Sequence, residues 1–377
     1  MFRRLRHMMR KEFIQLLRDP RSRFVLFMPA IVQMLIFGYA ATFELRHIPV
    51  AVLDRDHSPE SRDLIARFTS NPYFAVRYRV DDPAAIRALI DRSQAAIAIQ
   101  IHPGFAELLR KGATAPVQVI LDGTNSNTAL IALGYANSIA QDFALDYERD
   151  RLERRAPALV ALLPTVTLEQ RPWFNINLTS RWYFIPSLIA SIVLITVMQL
   201  TAFAVVRERE LGTLEQIMVT PIRRSEFILG KTLPFFLIGL ADTAVVAAVG
   251  TFWFEVPFRG SLGVLALGTA LFILSALGTG LLISTSSKTQ QQAMILGLFF
   301  MVPAIALSGL GTPISSMPPA LQWAADFNPL RHFIVVLRGV YLKGVGLETL
   351  WPEMAAMGLL GAILLGVSVL RFRKSLD

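Results

Sequence analysis

Long apolar runs separated by charged stretches are the strongest pattern in this sequence. A helix needs roughly 20 mostly apolar residues to cross the hydrocarbon layer of a bilayer, and six runs meet that length. The predicted spans are 24–43, 182–206, 232–254, 262–284, 293–312 and 351–370. No small-residue cleavage site follows the first run, so we expect a retained anchor and not a signal peptide.

The segment between the first two spans, residues 44–181, has a different pattern, in which short β-rich runs alternate with helical ones. Strands are predicted at 48–53, 73–80, 95–101 and 117–122, and helices at 59–68, 83–92, 103–110 and 126–155. Pro59, Pro83 and Pro103 stand where helices begin, as proline tolerates the first helical turn. The alternation predicts an α/β domain. The predicted fold is therefore an α-helical polytopic membrane protein, with six transmembrane helices and an inserted α/β extracytoplasmic domain.

Composition supports a membrane protein and excludes several kinds of site. The chain of 377 residues is 53% hydrophobic and 17% charged, whereas soluble domains carry about 25% charged residues. It has no cysteine, which excludes disulfides, thiolate metal sites and cysteine nucleophiles. The five histidines have no metal-binding spacing, so we expect no metal site.

Basic residues are distributed unevenly between the two sides of the predicted membrane domain. The termini and the connections 207–231 and 285–292 hold 17 Lys and Arg, against four in 255–261 and 313–350. The positive-inside rule therefore predicts that both termini are cytoplasmic. Residues 44–181 are then outside and are electrically balanced, with 16 basic and 16 acidic residues. Because no soluble domain is basic, nucleic acid is not an expected partner.

The two ends of the chain are predicted to lie at the cytoplasmic membrane surface. In residues 1–23, apolar side chains recur at helical spacing, at positions 2, 5, 9, 13 and 16, and basic residues lie between them. This pattern is typical of an amphipathic helix that lies in the interface and binds lipid headgroups. A plain basic tail is the alternative. Residues 371–377 form a short cytoplasmic tail.

The sequence offers little support for catalysis. Gly230-Lys231-Thr232 resembles the end of a phosphate-binding loop, but Ser225 stands where that loop requires its first glycine, and no strand precedes it. No Gly-x-Ser-x-Gly nucleophile motif is present. We expect no catalytic residues and no cofactor bound by this chain.

The cytoplasmic connection 207–231 mixes charged residues with apolar ones that a solvated loop does not require. Thr220-Pro221 is typical of a cap followed by the first residue of a helix. We interpret the segment as an amphipathic element that docks to a soluble partner. In the alternative interpretation, Glu208, Arg209, Glu210 and Arg223 form a solvated charge lattice.

Two polar positions inside otherwise simple segments have open interpretations. Asp242 lies within a predicted span, where an acid normally faces a bundle interior or a cavity. It is either a contact for a proton or a substrate, or a hydrogen-bonded packing residue. Residues 122–127 of the α/β domain are a ligand loop or, preferably, a turn with capping residues.

The outer segment 313–350 is too apolar and too rich in proline for a free loop, and short re-entrant helices are predicted there. Asn328 is a suitable cap for a helix that starts at Pro329. The side chains of Phe327, His332, Arg338 and Trp323 are candidates for substrate contact near the exit.

Three stretches resemble the permease subunits of ABC-2 type ABC transporters, in the drug and lipid exporter branch with a large extracytoplasmic domain. They are residues 11–21, similar to that family's interfacial helix; residues 208–221 with Gly230-Lys231, similar to its ATPase contact; and Ser308-Gly309, 317–322, 328–332 and Arg338, similar to its motif between the last two spans. The sequence departs from the family at Leu310-Gly-Thr-Pro313, where an aromatic residue and proline are usual.

The resemblance implies a transport subunit in a bacterial inner membrane, paired with a second permease copy and with two ATPase chains that hold ATP and Mg. A periplasmic adaptor is a further expected partner. The predicted ATPase-coupling residues are Glu210, Gly212, Thr213, Glu215, Thr220 and Pro221. The predicted translocation or gate residues are Asp242, Phe299, Asn328, Pro329, His332 and Arg338. A proton-coupled secondary transporter and a membrane-anchored receptor or assembly scaffold are the alternative functions.

Overall fold

The computed structural model describes residues 20–40, 47–155, 171–177, 179–212 and 224–371, together with Met9. Most of the predicted interfacial helix 1–23 and part of the connection 207–231 lie outside these residues. The chain forms two compact units, one of residues 43–170 and one of residues 1–42 with 171–377. We call them the α/β unit and the helical unit.

The described residues of the α/β unit form four strands and four helices in strict alternation. In chain order they are β1 (Ile48–Asp54), α2 (Pro59–Ser70), β2 (Phe74–Arg79), α3 (Pro83–Asp91), β3 (Ile97–Ile101), α4 (Phe105–Lys111), β4 (Val117–Leu121) and α5 (Ser126–Arg155); α1 (Pro20–Ala40) precedes them in the helical unit. The order and type of all eight elements agree with the prediction. The strands alternate with helices because each apolar strand must be covered on its faces.

The sheet has the order β2-β1-β3-β4, with β1 parallel to β2 and β3, and β4 antiparallel to β3. Residues Ala132, Ala136, Ile139 and Phe143 of α5 are buried at helical spacing and pack with the core strands. One predicted helix start is wrong: α4 begins at Phe105 and not at Pro103. Gly104 precedes it with φ +86°, a conformation that separates Pro103 from the helix.

The helical unit contains the long apolar helices. After α1 come α6 (Ser180–Glu210), α7 (Arg224–Ala248) with a π-helical turn Val249–Trp253, α8 (Leu262–Ser286), α9 (Gln290–Ala306), α10 (Pro319–Asp326), α11 (Pro329–Arg338) with a π-helical turn Gly339–Lys343, and α12 (Leu347–Arg371). Of the described helices, α6, α7, α8 and α12 have the length and composition to cross a membrane. Met28–Ala40 and Gln290–Ala306 are shorter apolar helices.

Two predicted boundaries differ from the structure for identifiable reasons. The fifth predicted span extends to residue 312, but α9 ends at Ala306, because Gly309 adopts a φ of +79° and the Ser308 side chain accepts a hydrogen bond from the Leu310 N–H. The third predicted span starts at residue 232, but α7 begins at Arg224. Lys231 does not end the apolar region, since its side chain is buried and paired.

Helix α8 lies at the centre of the helical unit. It contains no charged residue, and its contacts with α6 and α12 are more extensive than those between any other helices of the unit. Two glycines allow this close packing: a Cβ on Gly278 would lie 2.7 Å from Leu364 Cβ, and one on Gly280 would lie 2.7 Å from Thr201 Cβ. Small residues serve this purpose at helix interfaces in lipid.

Candidate functional site

A buried ion pair joins the helices that flank the connection 207–231. Lys231 Nζ of α7 donates to Glu208 Oε1 of α6 over 2.6 Å, and the two side chains are only 5% and 8% exposed. Sequence reasoning missed this pair, although it considered Lys231 both at the end of a possible phosphate-binding loop and within the stretch that resembles the family's ATPase contact. The Gly230-Lys231-Thr232 stretch is part of the continuous helix α7. We call the end of the helical unit at this ion pair the basic end.

Two further contacts tie the end of α6 to the start of α9. Glu210 accepts a hydrogen bond from the Gln290 backbone N–H at 2.7 Å, and its other carboxylate oxygen accepts one from the Gln290 side chain. Arg209 donates to the Ser287 carbonyl oxygen at 2.7 Å. Glu208, Arg209 and Glu210 therefore all bind groups outside their own helix. The solvated lattice of charges is the wrong interpretation for Glu208, which is buried, whereas Arg209 and Glu210 are exposed and Arg223 lies outside the described residues.

The predicted coupling residues lie partly within the described structure. Glu210 is the last residue of α6, and Gly212 follows with a φ of +68°, which ends the helix in a left-handed turn. Thr213, Glu215, Thr220 and Pro221 lie outside the described residues. Gln290, which sequence reasoning did not single out, belongs with Glu210 because its amide and backbone bind both carboxylate oxygens.

Arg338 ties three elements together at the opposite end of the helical unit. Its guanidinium lies 3.7 Å from the ring centroid of Tyr183, donates from Nε to the Ser187 hydroxyl at 3.1 Å, and reaches the Gly309 carbonyl oxygen at 3.3 Å. The fork of donors in arginine suits such a site, which a lysine ammonium does not match. Tyr183 also donates to the Gly309 carbonyl. Arg338 thus fixes the irregular chain after α9 to the start of α6.

Asn328 and Pro329 form the start of α11 as predicted. The Asn328 side chain accepts from the Leu330 N–H at 3.1 Å, and Pro329 is the first residue of the helix. The Asn328 amide also donates to the Ala304 carbonyl near the end of α9, at 2.7 Å. Asn328 therefore has a structural role, since it caps one helix and holds another.

His332 lies on the buried helix α11, between two acceptors. Its Nε2–H donates to the Asp326 carbonyl at 2.8 Å, and its Nδ1 contacts the Glu353 carboxylate of α12. The neighbouring Arg331 pairs with Asp326. Phe333, next in the chain, stacks on Phe272 of α8 at 4.2 Å between ring centroids. The structure brings His332 close to α10 and α12, and it does not bring His332 to Asp242 or Phe299.

Phe299 and Asp242 have opposite environments. Phe299 is 79% exposed on α9, and the nearby Ile295 and Val302 are 62% and 63% exposed, which defines an apolar face that this chain does not cover. Asp242 is fully buried in α7, and neither of its carboxylate oxygens has a hydrogen-bond partner among the described residues.

In the α/β unit, carboxylates cap loops and helices. Asp56 accepts from the Gly104 and Ala106 N–H groups at the start of α4, at 2.8 and 3.1 Å. Burial alone raises the pKa of Asp56, but hydrogen bonds from the Ser58 side chain and from these N–H groups outweigh it, so that the pKa is lowered. Asp122 binds the Thr124 hydroxyl and N–H, which likewise lowers its pKa. Residues 122–127 thus form a local turn, the interpretation preferred from the sequence.

The α/β unit also contains an open cleft of about 570 Å³ at the carboxyl ends of β1 and β2. It is lined by Asp54, His57, Arg62, Arg79 and Asp81, among other residues. The Asp54 carboxylate is already used by the Ser61 hydroxyl and by the backbone of its own loop. Among the described residues, no group of three or more histidine, aspartate or glutamate side chains has the arrangement of a metal site.

The known proteins that resemble this chain match it in both the helical unit and the α/β unit. The family described as ABC-2 family transporter protein matches residues 22–370. The probable multidrug ABC transporter permease YbhR of Escherichia coli K12 is 37% identical over 354 residues, which covers 94% of both chains. The probable multidrug ABC transporter permease YbhS of the same strain is 30% identical over 378 aligned positions, 100% of this chain and 98% of that protein.

A third relative, the inner membrane transport permease YhhJ of Escherichia coli K12, is 29% identical over 338 residues, with 87% of this chain and 86% of that protein covered. The family match over residues 22–370 therefore spans the long apolar helices and the α/β unit. With the family match over residues 22–370 and the identity to YbhR over nearly the full length, the chain belongs to the ABC-2 transporter family and is a multi-pass membrane protein.

Proposed function

We propose that this chain is the transmembrane permease subunit of an ATP-driven exporter, coupled to separate ATPase chains through residues 207–231. The observation that supports it best is the buried Lys231–Glu208 pair, which joins the two helices on either side of that segment. A force applied to the segment would then move α6 and α7 together. A coupling element must contact its partner differently in two states, and helices that move as one body transmit such a difference.

The names of the relatives support transport and, for two of them, multidrug cargo. YbhR and YbhS are named as multidrug permeases and YhhJ as an inner membrane transport permease. We infer that this chain lies in the inner membrane of a bacterium, with six spans that include α1 and α9, and with both termini in the cytoplasm. The basic end then faces the ATPase, and the α/β unit is extracytoplasmic, where a periplasmic adaptor is its expected partner.

The apolar face of α9 supports a second permease copy or membrane lipid beside it. Ile295, Phe299 and Val302 follow one another at helical spacing and are exposed. A path for amphiphilic cargo between two copies would use such a surface. In this proposal the chain itself is not an enzyme, and ATP and Mg are bound by the partner ATPase.

ATP turnover of the reconstituted complex tests the proposal. The full chain and its co-purified ATPase are placed in lipid, and turnover is measured with and without cargo for the wild type, for Glu210→Ala and for Glu215→Ala. We expect basal turnover to remain and the stimulation by cargo to fall roughly fivefold or more, in the range of typical coupling energies.

Glu348→Ala is the matched control, because Glu348 is exposed in the first turn of α12, at the other end of the helical unit from Glu210. It should leave the stimulation unchanged. The proposal fails if no ATPase co-purifies with the chain. Coupling through residues 207–231 fails if both variants respond to cargo as the wild type does.

A further inference from the structure

Two buried polar side chains of the helical unit lack hydrogen-bond partners, and both belong to its centre. They are Asp242 of α7, which is fully buried, and Thr269 of α8, which is 2% exposed. Buried polar groups are nearly always hydrogen-bonded, so each unpaired one needs an explanation. Packing alone does not explain why position 242 is an aspartate or why position 269 is a threonine.

The register of the helices brings these two side chains to the same depth. A Cβ on Gly239 of α7 would lie 2.7 Å from Val197 of α6 and 3.1 Å from Ile273 of α8, so the three helices meet at this level. Asp242 lies three residues beyond Gly239, and Thr269 lies four residues before Ile273 on the antiparallel helix. At 1.5 Å per residue the two are displaced toward the same end by roughly 4.5 and 6 Å.

A third oxygen approaches from α6. The Thr196 hydroxyl faces the Asp242 carboxylate but falls short of hydrogen-bond geometry. The carboxylate and two hydroxyls thus come from three different helices. A buried carboxylate with neutral hydroxyl oxygens at the same depth in the bundle is rich in acceptors, and such an environment favours a positively charged group.

No basic side chain of the surrounding helices neutralises the acid. Residues 28–40, 182–206 and 262–286, from the helices that pack around α7, contain no charged residue. On α7 itself the nearest cation is Lys231, which is 11 residues from Asp242, or roughly 16 Å along the helix, and is bound to Glu208. An uncompensated carboxylate in a membrane bundle is costly, and a neutral residue would stabilise the fold more.

Helix α7 has the features of an element that can open this site. Pro234 interrupts its hydrogen-bond ladder on one side of Asp242, and the π-helical turn Val249–Trp253 lies on the other side. Proline and π-turns are the usual positions of helix bends. Helix α7 also begins at Arg224, within the segment 207–231 that we propose to contact the ATPase, so movement of that segment reaches Pro234 through α7.

We propose that Asp242 binds the positively charged group of the cargo, with the Thr269 and Thr196 hydroxyls beside it, and that the exporter therefore selects lipophilic cations. The site is closed in this structure and opens when α7 bends at Pro234, so that the part of α7 that carries Asp242 moves away from α6 and α8 while Lys231 stays bound to Glu208. This inference rests on the proposed transport function and adds the class of cargo to it.

Equilibrium binding to the full chain with its ATPase in lipid nanodiscs tests the site without ATP turnover. The probes are tetraphenylphosphonium, a lipophilic cation, and triphenylphosphine oxide, an uncharged compound with similar phenyl groups. We expect Asp242→Asn to weaken binding of the cation at least about tenfold, as for the loss of one close pair of opposite charges, and to leave binding of the neutral probe unchanged. Asp242→Glu should retain binding, and Thr269→Val should weaken it less.

Thr243→Val is the matched control, because Thr243 is the buried neighbour of Asp242 and its hydroxyl is already bonded to the Gly239 carbonyl. It should bind the cation as the wild type does. A purely structural Asp242 predicts instead a lower Tm for Asp242→Asn with unchanged binding by the folded protein, which would overturn the proposal. If Asp242→Asn does not fold, Thr269→Val and Asp242→Glu still decide, since equal binding by the wild type and Thr269→Val contradicts the site.

Two other outcomes are distinguishable. If the cation binds the wild type and Asp242→Asn equally, while only the wild type shows pH-dependent ATP turnover, the occupant is a proton and the proposal about cargo is wrong. If no ATPase associates with the chain, the transport function fails, but loss of cation binding in Asp242→Asn still identifies the site.

Discussion

The two units use the same polar residue types in opposite ways. In the α/β unit, most ion pairs are exposed and local, such as Lys111–Glu107 one helical turn apart, and carboxylates cap nearby backbone. In the helical unit, several buried polar side chains join different helices, as Lys231–Glu208, Ser275 to the Met357 carbonyl and Ser368 to the Gly278 carbonyl do. An exposed ion pair contributes little to the free energy of unfolding, whereas removal of one partner from a buried pair is strongly destabilising.

The largest expected effect comes from breaking the buried pair. Lys231→Met leaves the Glu208 carboxylate desolvated, and we expect a loss of about 3–5 kcal/mol in the free energy of unfolding. Thermal unfolding of the purified chain in lipid measures it. The double variant Lys231→Met with Glu208→Gln should recover part of the loss, because no buried charge remains uncompensated.

Lys111→Met breaks an exposed pair in the α/β unit and sharpens the comparison. It should leave the Tm of the chain unchanged within error, since Lys111 and Glu107 are 65% and 68% exposed. If Lys231→Met and Lys111→Met lowered the Tm equally, the contrast between buried pairs in the helical unit and exposed pairs in the α/β unit would be wrong.

The next largest effect concerns packing without charge. Gly278→Leu on α8 places a side chain against Leu364 and the Leu365 N–H of α12, and overpacking of this kind costs about 1–3 kcal/mol. We expect a lower Tm. Gly366→Leu is the control, because a Cβ on Gly366 of α12 meets nothing within 4 Å. A normal Tm for Gly278→Leu would mean that α8 and α12 separate easily.

A smaller and local effect is expected in the α/β unit at Asp56. Asp56→Asn weakens the cap on α4, and we expect the free energy of local unfolding of α4 to fall by about 1 kcal/mol. Hydrogen exchange of the backbone amides of residues 106–111 in the full chain measures this local opening. Asp63→Asn is the control, because Asp63 lies on the surface of α2 and makes only a loose pair with Arg67. Faster exchange in both variants would indicate a general effect of charge.

The same cap has a defined pH dependence. Because the folded pKa of Asp56 is below its ordinary value, its contribution is fully present above the unfolded pKa, about 3.9. It is lost as the pH falls through the lower folded pKa. Protection of the α4 amides should therefore decrease between these two values in the wild type, and Asp56→Asn should lack that step. A step that persists in Asp56→Asn would assign it to another carboxyl group.

The α/β unit was the easier of the two to predict from sequence, for a physical reason. Its strands and helices are short, and each is bounded by a local signal such as Ser58 with Pro59, or Asp82 with Pro83. The helix start predicted at Pro103 is wrong because Gly104 follows and adopts a left-handed conformation, which the sequence pattern does not indicate.

In the helical unit, length and hydropathy located the helices, and the cap Asn328-Pro329 marked the start of α11. Contacts between distant residues were not predictable in this way. In the sequence, Glu208 and Lys231 are charged residues at the edges of two apolar runs. Their pairing depends on how α6 and α7 pack. The partners Tyr183 and Ser187 of Arg338 lie about 150 residues from it in the chain. The one sequence signal that could have indicated the buried pair is that opposite charges stand at the ends of two successive apolar runs.

The Lys231–Glu208 contact also changes what the peptide chain between α6 and α7 has to do. Because the Glu208 and Lys231 side chains bind the end of α6 to α7, the two helices are joined at a point other than the peptide chain between them. If residues 207–231 contact the ATPase as proposed, substitutions in that segment can change the fit to a partner while the helix ends stay joined.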